Sequence, residues 1–249
     1  MEGADVKFYQ SWTAKGNDGL EFAAHVPGNV QSDYAAACGW GDIQYADTVY
    51  RFEDIEDWAW TYKTVLDFSA DGDRVFFVAE GIDYEFDILL DGTVLFSQEG
   101  MYTPVELDLT DKAQPGSILE IAIHPRPWRE GARVLPHFSR TAADASCKPP
   151  VTYGWDWNPQ LVNLGIWQEA YIETRKADHI DSCEPFYALT EDFSQAQVWF
   201  ETVCKGEVTY TVTDPDGNCI YCGKEPQFAV ENSRLWWCNG QGEAALYEW

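Results

Sequence analysis

Trp60-Thr61-Tyr62-Lys63-Thr64-Val65-Leu66-Asp67-Phe68 is the stretch whose reading decides the fold. Aromatic and branched residues alternate along it with a period of two, the pattern of a strand with one buried face. Working outward, Arg74 to Ala79 and Phe86 to Leu90 repeat that pattern. Asp91-Gly92 then forms a hairpin turn into Thr93-Val94-Leu95-Phe96. Val105 to Leu109 and Ile118 to His124 follow, separated by Pro115-Gly116, and Trp167 to Thr174 reads as a closing strand. Short strands with turn chemistry between them and almost no helical period predict an antiparallel jelly-roll β-sandwich. On the N-terminal side, Pro27-Gly28 marks a tight turn and Gln31 to Cys38 a short helix ending at Gly39. An irregular, aromatic-rich loop then runs to Arg51.

Beyond a polar link, Arg175-Lys176-Ala177-Asp178, the pattern restarts. Gln197 to Cys204, Val208 to Thr213, Cys219 to Cys222, Phe228 to Val230 and Arg234 to Cys238 read as strands. The expectation is all-β: a jelly roll over 1–176, then an immunoglobulin-like sandwich over 177–249. The second has roughly six strands where about seven are expected, so it is expected to be truncated.

Sixteen basic residues against 42 acidic ones give a net charge of −26, which repels phosphate backbones and anionic lipid. Nucleic acid and membrane are therefore not the expected partners, and a neutral or cationic ligand is. No stretch approaches the ~20 apolar residues of a membrane span, and the N-terminus has no signal-peptide pattern, so a cytoplasmic location is expected. Seven scattered cysteines and four scattered histidines suggest neither a disulfide framework nor a zinc site. No cofactor is expected. The acidic loops Asp54-Ile55-Glu56-Asp57 and Asp71-Gly72-Asp73 read as solvated turns rather than calcium sites.

One segment is irregular and chemically pointed. Tyr153-Gly154-Trp155-Asp156-Trp157-Asn158-Pro159 places two indoles around one carboxylate, between a glycine and an Asn-Pro stop. An indole offers a flat apolar face to the C–H side of a pyranose, and an aspartate accepts hydrogen bonds from neighbouring hydroxyls. On the residues alone, a loop that plugs the end of a sandwich is the plainer reading. The proline-rich run from Pro125 to Pro150, with Arg126, Arg129, Arg133, Arg140 and Lys148, precedes it as a basic loop in an acidic chain.

These features resemble, in order, the N-terminal half of family 2 glycoside hydrolases of the β-mannosidase branch. The resemblance rests on Val26-Pro27-Gly28-Asn29-Val30, Trp60-Thr61-Tyr62, Gly81-Ile82-Asp83 leading to Leu90-Asp91-Gly92, and Asp108-Leu109-Thr110. It continues through Gly154-Trp155-Asp156-Trp157-Asn158-Pro159, Gly165-Ile166-Trp167 and Leu235-Trp236-Trp237-Cys238-Asn239-Gly240. It implies a sugar-binding-type jelly roll, an immunoglobulin-like domain and a downstream (β/α)8 barrel carrying two glutamates of a retaining mechanism. That barrel and its Asn-Glu signature are absent from these residues, so the chain is expected to be inactive alone and to have no catalytic residue of its own. Glu80, Glu85 and Glu106 read as surface charges on strands. By resemblance, Asp156 is the sugar ligand, Trp155 its apolar wall, and Trp157 a second substrate-binding candidate, with one of the two indoles expected to face the core. Asn158 stands where glycine is common, and Cys238 where proline is. The implied partners are a β-mannoside or related β-glycoside and the barrel; the competing readings are an autonomous carbohydrate-binding module or a scaffold without activity.

Overall fold

The structure is a computed structural model that describes residues 6–45, 47–69, 74–128, 143, 144 and 146–249. It divides into two compact units, Met1–Arg175 and Lys176–Trp249.

In chain order the first unit contains β1 (Val6–Tyr9), β2 (Trp12–Lys15), β3 (Glu21–Ala24), helix α1 (Val30–Ala37) and a 3-10 helix (Thr48–Ile55). Then come β4 (Trp60–Val65), β5 (Arg74–Ala79), β6 (Ile82–Asp83), β7 (Glu85–Leu90), β8 (Thr93–Glu99), β9 (Val105–Asp108) and β10 (Ile118–Ile123). A second 3-10 helix (Pro150–Tyr153), β11 (Gly165–Ile166) and β12 (Ala170–Arg175) complete it. The strands form a six-stranded sheet in the order β3-β2-β4-β10-β7-β8 and a four-stranded sheet β1-β12-β5-β9, with β11 paired to β6.

The alternation in β4 explains its position. Trp60, Tyr62 and Thr64 point inward while Lys63 and Val65 are exposed. Next to it, Ile121 lies opposite both Tyr62 and Ile88, and all three are fully buried. Phe77 on β5 lies opposite Ile172 and Leu107 and closes the core from the other sheet. The expected Asp91-Gly92 hairpin joins β7 to β8, with both residues at positive φ (48° and 81°), the primed geometry that matches strand twist. Helix α1 begins one residue before the expected start, because the Asn29 side chain accepts from Ser32 N at 2.9 Å.

The outer face of the four-stranded sheet is buried as well. Phe76, Val78 and Tyr171 form a separate apolar cluster there. Arg74 and Arg175 lie over the Phe76 ring and Lys7 over Tyr171, so long cationic stems cover apolar surface while their heads reach water or acids.

The second unit holds β13 (His179–Leu189), β14 (Gln195–Lys205), β15 (Tyr210–Thr213), β16 (Cys219–Gly223) and β17 (Gln227–Glu231). These make a three-stranded sheet β13-β14-β17 and a two-stranded sheet β15-β16. Aromatic pairs join the sheets: Phe200 with Tyr210 at 4.8 Å, and Phe228 with Tyr221 at 4.1 Å.

Two strand expectations need correction here. Residues 234–238 form no strand, only an isolated bridge between Trp236 and Ala244. The eleven-residue β13, conversely, lacks any alternating signal because most of it is exposed on both faces, and Pro185 within it disguises it further. A proline is tolerated there because β13 is an edge strand that, among the described residues, pairs only with β14.

Candidate functional site

The Trp-Asp-Trp segment is a two-residue turn. Trp155 N donates to Asn158 O at 2.8 Å and Asn158 N returns to Trp155 O at 3.3 Å, leaving Asp156 and Trp157 at the tip. The 3-10 helix Pro150–Tyr153 leads into it and ends at Gly154, whose φ of 102° redirects the chain. Asn158, the departure from the glycine common at this position, is a brace. Its Nδ2 donates to Val151 O at 3.0 Å and to Pro159 O at 2.9 Å, tying the far side of the turn to the helix before it.

Trp155 is half-buried, Asp156 is exposed, and Trp157 is 72% exposed. The Asp156 carboxylate accepts no hydrogen bond among the described residues. An exposed indole beside an uncommitted carboxylate is a surface able to stack on a sugar ring and accept from its hydroxyls.

Beneath the turn lies a network that its residue types did not reveal. Gln160, just past the turn, donates from Nε2 to Glu56 Oε1 at 2.5 Å. Glu56 in turn meets Arg126 Nη2 at 2.9 Å, and Arg126 Nε reaches Asp57 at 3.2 Å. The Arg126 guanidinium lies 4.1 Å from the centre of the Trp128 ring. Tyr153, fully buried, donates to Pro127 O at 2.8 Å. Burial pushes the Glu56 carboxyl above its usual range, opposed by Gln160 and Arg126, and pushes the Tyr153 phenol up to about 12. The loop around residues 54–57, read as a solvated turn, therefore spends Glu56 and Asp57 on holding the base of the Trp155–Asn158 turn.

A second buried pair anchors the start of the helix that precedes the turn. Lys148 Nζ contacts both carboxylate oxygens of Asp83 and donates to Asn163 O at 2.6 Å. Both side chains are almost inaccessible. Burial raises the Asp83 carboxyl and lowers the Lys148 ammonium, while each charge opposes the other's shift. With three oxygens around Nζ, the pair is charged.

Arg126 and Lys148, which belong to the basic loop of the sequence reading, are thus buried and ion-paired. Arg129, Arg133 and Arg140 of that loop, and Asp71-Gly72-Asp73, lie outside the described residues. No group of three or more His, Cys, Asp or Glu able to hold a metal occurs among the described residues. Glu80, Glu85 and Glu106 are not brought together: Glu85 lies beside His124 on the six-stranded sheet, whereas Glu106 pairs with Arg175 on the other.

The short sequence signatures converge around the Lys148–Asp83 pair. Gly28 N donates to Ile166 O and Val30 N to Leu164 O, each at 2.9 Å, so the turn before α1 is stitched to β11. Gln31 locks the same joint, accepting from Leu164 N and donating to Val162 O. Gly165 sits at φ 141°, where an added Cβ would stand 2.7 Å from the Tyr62 hydroxyl, so only glycine fits. The roles of Glu56, Asp83, Arg126 and Gln160 are not legible in the sequence because they arise from contacts between residues 65 to 104 positions apart.

A galactose-binding-type β-sandwich with this inserted turn defines the class. Residues 12–168 match the model of the glycosyl hydrolase 2 galactose-binding domain-like family, and the chain belongs to that family. Over 224 residues it is 28% identical to beta-mannosidase B of Emericella nidulans, covering 78% of the chain and 26% of that protein. It is 28% identical over 219 residues to the beta-mannosidase of Mus musculus, covering 79% of the chain and 24% of the relative. The chain thus spans about a quarter of the length of these curated relatives, and it resembles the N-terminal half of β-mannosidase-like proteins. Among solved structures, a beta-D-mannosidase from Dictyoglomus thermophilum superimposes with a TM-score of 0.73 at 18% identity, covering 98% of this chain and 33% of that one. A beta-glucuronidase from Ruminococcus gnavus gives 0.64 at 18% identity, covering 98% and 40%. The fold is therefore shared by enzymes named for different sugars. No helix among the described residues is long and apolar enough to cross a membrane.

Proposed function

We propose that this chain is the accessory, non-catalytic region of a β-mannosidase-like retaining exo-glycosidase that removes terminal β-D-mannose, and that its Trp155–Asn158 turn supplies one wall of the sugar subsite. The observation that carries the reading is the turn itself. Asp156 and Trp157 stand exposed at the tip, and Asn158, Gln160, Glu56 and Arg126 brace its base. A free surface turn needs no such bracing, whereas a ligand-positioning one loses affinity when its carboxylate wanders. In this role Asp156 accepts hydrogen bonds from sugar hydroxyls, Trp157 and the exposed part of Trp155 offer apolar surface, and the catalytic carboxylates come from a barrel domain. One wall alone binds weakly, because a few hydrogen bonds barely offset the entropy lost on association.

The test is hydrolysis of an aryl β-mannoside by the 249-residue chain and by a full-length gene product containing it. The chain alone is expected to be inactive. In the full-length protein, Asp156→Ala is expected to lower kcat/KM by about 2–4 kcal/mol, the worth of one or two charge-assisted hydrogen bonds. A kinetically silent Asp156→Ala would overturn the assignment of the turn.

A further inference from the structure

The first unit contains a cavity of about 480 Å³ with Asp83 and Lys148 in its lining and Asn29, Thr152, Asn163 and Trp167 around them. That volume falls within the ~300–1,000 Å³ of small-molecule sites. Its electrostatics and its unspent hydrogen-bonding groups narrow the class of occupant. The carboxylate and the ammonium neutralise each other, so the lining carries no net charge and gives an ion no partner. The net charge of −26 disfavours anions further.

The polar side chains around the pair retain complementary capacity. Asn29 spends Oδ1 on capping α1, which leaves its Nδ2 as a donor. Thr152 donates its hydroxyl proton to Pro149 O, which leaves the oxygen as an acceptor. The Asn163 side chain makes no hydrogen bond among the described residues, and its Oδ1 is buried without a partner. Mixed donors and acceptors of this kind suit hydroxyl groups, which both donate and accept.

The apolar wall is rigid. Trp167 donates Nε1 to Met101 O at 3.1 Å, and Tyr102 meets the indole edge-on. Gly81 packs so closely that an added Cβ would stand 2.6 Å from Trp167 Nε1, so the ring is clamped on that side, and Trp167 is among the residues that line the cavity. A fixed carbon surface facing uncommitted amide and hydroxyl groups is the composition of a site for a ring polyol.

We infer that this cavity binds a single neutral hexopyranose, with the C–H side of the ring against Trp167 and its hydroxyls on Asn29, Thr152 and Asn163, and that it does so in this chain alone, without requiring the Asp156 turn. Affinity is millimolar, as expected for a small ring held by a few neutral hydrogen bonds.

The experiment is an NMR titration of the ¹⁵N-labelled chain with methyl β-D-mannopyranoside, methyl β-D-glucopyranoside and, as the charged comparator, glucuronate. Saturable shifts are expected at the Trp167 indole N–H and the Asn163 side-chain amide with the neutral sugars and not with glucuronate. Asn163→Leu is expected to weaken binding at least several-fold with an unchanged backbone spectrum. Tyr102→Ala, at an exposed rim position, gives a second readout that the fold tolerates. Asp156→Ala is expected to leave the titration unchanged, which separates this inference from the role proposed for the turn. The inference is overturned if no neutral sugar produces saturable shifts at the cavity up to about 100 mM, or if Asp156→Ala abolishes them while Asn163→Leu and Tyr102→Ala do not.

Discussion

The two units use the same strand chemistry to very different depth. In the first, the apolar faces of two sheets meet over one continuous core that runs from Trp12 to Ile172. In the second, the buried hydrophobic side chains are Ala196, Phe200, Val212 and Ala245, while Tyr187, Val203, Leu246, Trp236, Trp237 and Trp249 are at least half exposed. Burial stabilises by roughly 25 cal/mol per Å² of apolar area removed from water, so the first unit has a large reserve and the second a thin one. The lesson concerns what each unit can carry: the braced, exposed turn and the buried charged pair both lie on the unit whose larger core offsets their cost.

The largest expected effect breaks that support. Lys148→Met leaves the Asp83 carboxylate buried without a counter-ion and is expected to destabilise the first unit by about 3–5 kcal/mol. Combining it with Asp83→Leu is expected to restore much of the loss. Denaturant unfolding followed by residue-resolved hydrogen exchange checks both, with protection in β14 expected to stay unchanged.

Phe200→Ala tests the thin side. Phe200 stacks on Tyr210 and Phe228 and meets Trp249 at 5.4 Å, so its loss is expected to cost about 3 kcal/mol. Amide exchange is expected to show loss of protection in the second unit with β10 still protected; equal losses in both would show that their stabilities are linked.

A smaller effect is expected at the turn. Gln160→Leu removes the donor from the buried Glu56 and is expected to cost about 1–3 kcal/mol, visible as faster exchange at the Asn158 amide.

The smallest effects separate the units by sign. Asp33, hydrogen-bonded to His25 Nδ1 at 2.6 Å, raises the pKa of that imidazole above its usual value of about 6.5. Its contribution is fully present below that value and is lost as pH rises through the raised one. In the second unit, hydrogen bonds from Thr190 and Ser194 lower the Asp192 carboxyl to about 2. That contribution is present above the ordinary carboxylate value of about 3.9 and is lost as pH falls towards 2. His25→Gln and Asp192→Asn are expected to remove the two slopes separately, as read from thermal unfolding across pH.

Legibility followed the same divide. In the first unit β5 was legible to the residue, and β4, β7 and β10 to within a few, because one buried face imposes alternation that survives in composition. In the second, β13 went unread and 234–238 was read as a strand. Where neither face is deeply buried, alternation carries no information, and tryptophans at 236 and 237 mimic a buried run while lying half exposed. At the site, Asp156 and its two indoles stood out by residue type, but Glu56, Arg126 and Gln160 look like ordinary surface residues until the chain is folded.

The sequence by itself determined the all-β class, the hairpin at Asp91-Gly92 and the residues at the tip of the turn, because each depends on neighbours within a few positions. Only the tertiary structure decided that Lys148 lies against Asp83, 65 residues away, and that Gln160 bonds Glu56, 104 residues away. Burial makes an ion pair of what would otherwise be two solvated charges, and burial is a property of segments that meet in space, which no local pattern encodes.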